Sequence, residues 1–171
     1  MQRYHDEEWG VPVHDDRKHF EFLVLDAFQA GLSWRTILHR REGFRKAFAD
    51  FDPALVAMFT EEDVERLTLD ASIIRNRQKI VATIGNAQAF LAVQKEFNSF
   101  DAFIWQFVGS QTIVNHYAPG EKLPATSPES DAMSKALMKR GFRFAGSTIC
   151  YAYMQAAGMV DDHAEGCKRV V

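Results

Sequence analysis

Two stretches of this 171-residue chain are apolar on almost every side when wound as helices: KHFEFLVLDAFQA at 18–30 and GSTICYAYMQAAG at 146–158. A helix without a polar face has to be covered all round. The rest of the chain must therefore supply the cover, and its pattern is helical too. A helix is predicted from about Ser33 to Ala49, with Trp34, Ile37, Leu38, Phe44 and Phe48 facing inward. Asp52-Pro53 reads as a cap followed by proline at the first helical position. Thr60 to Asp63 has the capping-box form. Residues 72–95 place Ile73, Ile80, Ile84, Ala87 and Leu91 at helical spacing, and Ser99 caps a short helix. Ser127-Pro128 opens another, which Gly141 ends. Only 109–126 is irregular, and nowhere is alternation sustained long enough to mark a sheet. The expected fold class is all-α, with 18–30 and 146–158 at its centre.

At 47% hydrophobic residues the chain has ample material for such a core, which excludes chain-wide disorder. Apolar runs such as FLVL at 22–25 fall far short of the roughly 20 residues that span a bilayer, so no membrane partner is expected. The polar, acidic start MQRYHDEEWG is unlike a secretory signal. Cys150 and Cys167 are too few for a disulfide framework, so a reducing, cytoplasmic setting is expected.

The net charge of −3 hides a segregation. Basic residues gather at Arg35, Arg40, Arg41, Arg45 and Lys46; at Arg75, Arg77 and Lys79; and at Lys135, Lys139, Arg140 and Arg143. Sharing one face, they can neutralise phosphates; apart, they are solvated helix faces.

Three features point to chemistry. Asp26 lies inside FLVLDAF, where an unpaired carboxylate costs several kcal/mol or shifts its pKa. It is either capped or paired structurally, or used, and Gln29 shares its helix face. Next, Gly31 breaks the helix and leaves Leu32 on the turn before Ser33. Leu32 is either a staple of its own turn or a wedge pushed between bases. Lastly, His163 and Cys167 stand at a spacing that suits two ligands of one metal, and His5 is the natural third.

The strings YHDEEWGVP (4–12), QAGLSW (29–34), IIRNRQKI (73–80), SDAMSKALMKRGFRFAGSTICY (130–151) and HAEGC (163–167), in this order and spacing, resemble the 3-methyladenine DNA glycosylase I family of bacterial base-excision repair. The resemblance covers nearly all of 4–167. It implies one glycosylase domain over 1–171, a helix-hairpin-helix bundle over about 18–158, and a structural zinc joining the terminal segments 1–15 and 159–171.

Tyr4 and Trp34 match the family's aromatic pocket, with Gln29 beside it. Gly31 and Leu32 match the turn that enters DNA, and Arg75 and Lys79 are expected at phosphates. His5, His163 and Cys167 match three of four zinc ligands. The fourth, a cysteine ahead of the YHD motif, has no counterpart here: the start lies upstream, or the site is three-ligand, water-completed or empty. Asp26 stands where the family usually has glutamate, and Ser72 where it commonly has glycine.

The implied activity is hydrolytic excision of flipped-out 3-methyladenine from alkylated double-stranded DNA by a monomer, leaving an abasic site and the free base. Such a cationic base leaves as a neutral molecule, so no strong general acid is needed, and no residue is assigned to activate water. The alternatives are a non-catalytic DNA- or nucleobase-binding relative, a glycosylase for another lesion, and a zinc hydrolase.

Overall fold

In the computed structural model, residues 1–167 are described; the end of the expected terminal lobe, 168–171, lies outside them. A short helix α1 (Gln2–Glu7) leads to an extended segment, and Asp15 then opens the first buried helix. Its carboxylate accepts the Lys18 amide at 3.0 Å, a cap of the kind that satisfies a first-turn donor. Helix α2 (Asp16–Gln29) follows, with Phe20, Phe22, Leu25 and Phe28 wholly buried.

The predicted helix over 33–49 is instead two. Ser33 caps α3 (Trp34–His39), Arg40 leaves helical geometry, and α4 (Arg41–Ala47) sets off anew. The break lays Gly43 against the loop at Ser72, where a Cβ on residue 43 would meet the Ser72 carbonyl oxygen at 2.3 Å. A tight turn at Ala49–Phe51 leads to α5 (Pro53–Val56), capped by Asp52. The capping box of Thr60 and Asp63 opens α6 (Glu61–Thr68).

Residues 72–76, predicted as helix, are a loop. Asp70 accepts both the amide and the hydroxyl of Ser72, a local turn that competes with helix formation. Asn76 then caps α7 (Arg77–Phe97), the longest described helix. Ser99 caps α8 (Phe100–Ile104). After the Ser127 capping box comes α9 (Pro128–Lys139), and then the second buried helix, α10 (Ser147–Ala156), lies against α2 and α9.

The fold is thus mostly helical, with one departure from all-α. Strand β1 (Ile113–Val114) pairs in parallel with β2 (Val160–Asp161). Two residues per strand are too few for alternation to show in a sequence, and the pairing is made by tertiary contact.

That ladder belongs to a seam joining the two ends of the chain. The Gly10 amide donates to Gln155 and the Val13 amide to Ala157, both at 2.9 Å. Gly158 has φ +66° and lies so close to Val11 that a Cβ would stand 2.1 Å from its carbonyl carbon. Arg41 pins the N-terminal segment from another side: its guanidinium donates twice to Glu8 at 2.8 Å and once to Glu21 at 2.7 Å. No described helix is long and apolar enough to cross a membrane.

Candidate active site

The C-terminal turn of α2 carries Asp26 and Gln29, and the start of α3 carries Trp34. The docked N-terminal segment brings Tyr4 and Trp9, and α10 brings Ala152 and Gln155. These seven side chains enclose a cavity of about 190 Å³. A cavity of about 150 Å³ holds a benzene ring, so a bicyclic planar base is a reasonable occupant. A wider hollow of about 350 Å³ adjoins it, sharing Tyr4, Trp9 and Trp34 and reaching His5, His163 and Cys167.

Tyr4 and Trp34 face each other with ring centroids 5.4 Å apart, tilted by 55°. Tyr4 is only 8% exposed, and burial pushes its phenol well above the ordinary tyrosine range. Asp26 is 2% exposed. Its Oδ2 and the Trp34 indole nitrogen are both buried without a hydrogen-bond partner. Buried polar atoms are nearly always paired, so two orphans on one cavity wall mark a place for a polar ligand. Burial raises the Asp26 carboxyl well above its ordinary value, which favours its neutral form. A cation lodged beside it would favour the ionised form.

Beside the cavity the chain turns sharply. Gly31 has φ +79°, which suits glycine, and the Leu32 amide closes the turn on the Gln29 carbonyl at 2.6 Å. Leu32 projects with 40% of its surface exposed.

The basic clusters prove partly committed. Arg41 and Arg45 pair with Glu21, Arg77 with Glu61 and Glu65, and Arg140 with Glu96. Arg75 is exposed on the loop before α7, with no ion pair among the described residues. Lys79 corrects an expectation. It is 7% exposed, and its ammonium donates to the carbonyls of Phe28 at 2.8 Å and Ala30 at 2.7 Å. It is therefore turned inward onto the end of α2 and is not placed to meet a phosphate.

At the joined termini, Cys167 Sγ lies 3.6 Å from His5 Nε2, and the His5 and His163 rings are 4.9 Å apart. Tetrahedral zinc holds its nitrogen and sulfur ligands about 3.5 Å from each other. His5 Nδ1 meets Asp6 at 2.9 Å and His163 Nδ1 meets Asp161 at 2.6 Å, the carboxylate support common behind ligating imidazoles. Two donors thus have a metal-compatible separation. Among the described residues, however, no group of three or more His, Cys, Asp or Glu is arranged to hold an ion.

Sequence reasoning missed Trp9 and Gln155. Trp9 lines both hollows, stacks on His5 at 5.7 Å and meets the His163 ring edge-on. Its segment is too short to show a period. Gln155 lines the cavity while donating to Asp162, which also accepts the Tyr151 hydroxyl. Its signal was available: like Asp26, it is a polar residue inside a helix apolar nearly all round.

The scaffold is a helical one whose two ends close an aromatic, base-sized cavity beside a projecting turn. A sequence model of the methyladenine glycosylase family matches residues 1–170. The chain is 52% identical over 164 residues to DNA-3-methyladenine glycosylase 1 of Escherichia coli K12, covering 96% of this chain and 88% of that protein. It is 46% identical to DNA-3-methyladenine glycosylase of Haemophilus influenzae Rd, covering 96% and 89%. A crystal structure of a tyrosine-to-phenylalanine variant of 3-methyladenine DNA glycosylase I, in complex with 3-methyladenine, superposes with a TM-score of 0.95 at 33% identity, covering 98% of this chain and 90% of that one. The chain belongs to the methyladenine glycosylase family.

Proposed function

We propose that this protein is a DNA-repair glycosylase that takes 3-methyladenine out of the stack in alkylated double-stranded DNA and excises it by hydrolysis. The observation that carries the reading is the shared cavity: an indole, a phenol and an unpartnered carboxyl face one base-sized space. Aromatic faces attract a cation by roughly 0.5–2 kcal/mol, which favours the methylated base over neutral adenine. The exocyclic amine of that base donates to Asp26, and the positive charge draws the carboxyl toward its ionised form. As the bond from C1′ to the base nitrogen breaks, its electron pair returns to the purine, which leaves neutral. Water oxygen bonds to C1′ and its proton passes to solvent, leaving an abasic site.

Extruding the nucleotide costs a few kcal/mol, and exposed Leu32 is the wedge that holds the gap open. In this reading α6, the loop over 69–76 and α7 are the helix-hairpin-helix that straddles a phosphate. The amide and hydroxyl of Ser72 are already given to Asp70, so the phosphate contact falls to Arg75 and other loop groups. The protein acts as a monomer in the cytoplasm, and free 3-methyladenine is its product.

His5, His163 and Cys167 are the zinc ligands of this reading. The spacing of His5 and Cys167 and the carboxylates behind both imidazoles support them; zinc there would tie the termini together and has no step in the reaction. Metal analysis of the purified chain should find close to one zinc per molecule, and Cys167→Ala should lower it.

The release assay is the direct test of function. Methylated duplex incubated with the protein should yield free 3-methyladenine, resolved by chromatography. Binding of the base without release would identify a non-catalytic relative.

A further inference from the structure

The inward turn of Lys79 leaves a buried ammonium with a defined job. Helix α2 ends at Gln29 in Ala30 (φ −48°, ψ 116°), whose own amide caps no carbonyl of the last turn. The final carbonyls of a helix lack intrahelical donors and carry partial negative charge. Here the Gln29 carbonyl is taken by the Leu32 amide. Those of Phe28 and Ala30 are taken by one ammonium, that of Lys79.

Lys79 is itself fixed from behind. Its backbone amide donates to the side chain of Asn76, the residue that caps α7. One side chain therefore bolts the first turn of α7, and with it the exposed loop bearing Arg75, to the turn bearing Leu32. A second bolt lies farther along the same loop. Arg40, at the α3–α4 junction, donates to the Ala71 carbonyl at 2.8 Å, and Gly43 packs on Ser72 without room for a Cβ. The loop and the Leu32 turn thus form one rigid edge, with the Asp26 cavity directly behind it.

We propose that Lys79 is a positioning residue: it holds the Leu32 turn in register with the loop before α7, so that wedge and phosphate contact engage one duplex together. This rests on the glycosylase reading above. Lys79 touches neither the cavity nor solvent-side phosphate, and acts through Leu32. Positioning of this kind matters because a misplacement of about 1 Å can cost on the order of a hundredfold in rate.

Lys79→Met keeps the length of the chain and removes the donors. Excision from methylated duplex should fall at least tenfold, while the Kd for free 3-methyladenine, measured by calorimetry, stays within twofold. Lys79→Arg, which keeps charge and donors, should recover to within about threefold of wild type. In a Leu32→Ala background, Lys79→Met should cost less than a further threefold, because two residues that act as one unit are not additive. Full additivity, unchanged duplex excision, or loss of free-base binding in step with excision would each overturn the proposal. If Lys79→Met does not fold, Lys79→Gln takes its place in the same cycle. If none of Lys79→Met, Lys79→Gln and Lys79→Arg folds, Lys79 is a fold determinant and the proposal fails. Should the wild-type chain release no base, the glycosylase reading is what fails.

Discussion

Asp26 pays for its place in stability. A carboxyl raised by burial binds its proton more tightly folded than unfolded, so it supports the fold fully below the unfolded value of about 3.9 and loses that contribution as pH rises through the folded one. Asp26→Asn removes this dependence. Thermal scans should show the variant gaining on wild type as pH climbs from 4 to 8, while release of 3-methyladenine drops about ten- to a hundredfold, the worth of a charge-assisted hydrogen bond. Equal melting temperatures across that range would mean Asp26 is not buried as described. Trp34 is the complementary case. Trp34→Ala should weaken calorimetric binding of free 3-methyladenine by roughly tenfold, corresponding to about 1–2 kcal/mol of lost stacking.

At the level of elements, α2 and α10 meet through a polar chain that no apolar pattern announces. Tyr153 is wholly buried, and its hydroxyl donates to His19 Nδ1 at 2.6 Å. His19 Nε2 in turn donates to Asp101 at 2.8 Å, and exposed His14 meets the same carboxylate at 3.1 Å. Burial lowers the His19 pKa, with Asp101 opposing in part, so the imidazole stays neutral and both its nitrogens are used. Removing one partner leaves a buried orphan, at about 1–3 kcal/mol. Tyr153→Phe and His19→Leu should each destabilise by that order in denaturant unfolding, and the double variant by clearly less than their sum. Most helices were legible because Ser33, Asp52, Thr60, Ser99 and Ser127 are local cap signals that the chain obeys. The break at Arg40 and the late start of α7 were not: the Asp70–Ser72 turn overrides the helical spacing before α7, and Gly43 packs on that loop across nearly thirty positions of sequence.

For the whole molecule, charge has to be read after pairing. Of the basic residues near the loop before α7, Arg77 is held by Glu61 and Glu65, whereas Arg75 is exposed and has no ion pair among the described residues. Arg75→Gln should therefore weaken duplex binding and reduce the slope of log affinity against log salt by about 0.9. Arg77→Gln should move that slope much less, and equal effects would show that the ion pairs open on binding. The candidate site was legible in part for the same reason. Asp26 declared itself through its apolar neighbours and Trp34 only through the family resemblance, whereas the expectation of Lys79 at a phosphate could not foresee an ammonium already spent on two carbonyls.

The seam between the chain ends has a temporal corollary. Part of the cavity wall is laid down by Tyr4 and Trp9 and part, much later in the chain, by Ala152 and Gln155. They meet where the backbone at Val11 nests on Gly158 and the Gly10 and Val13 amides reach Gln155 and Ala157. A nascent polypeptide that stops short of α10 thus leaves this receptacle unfinished.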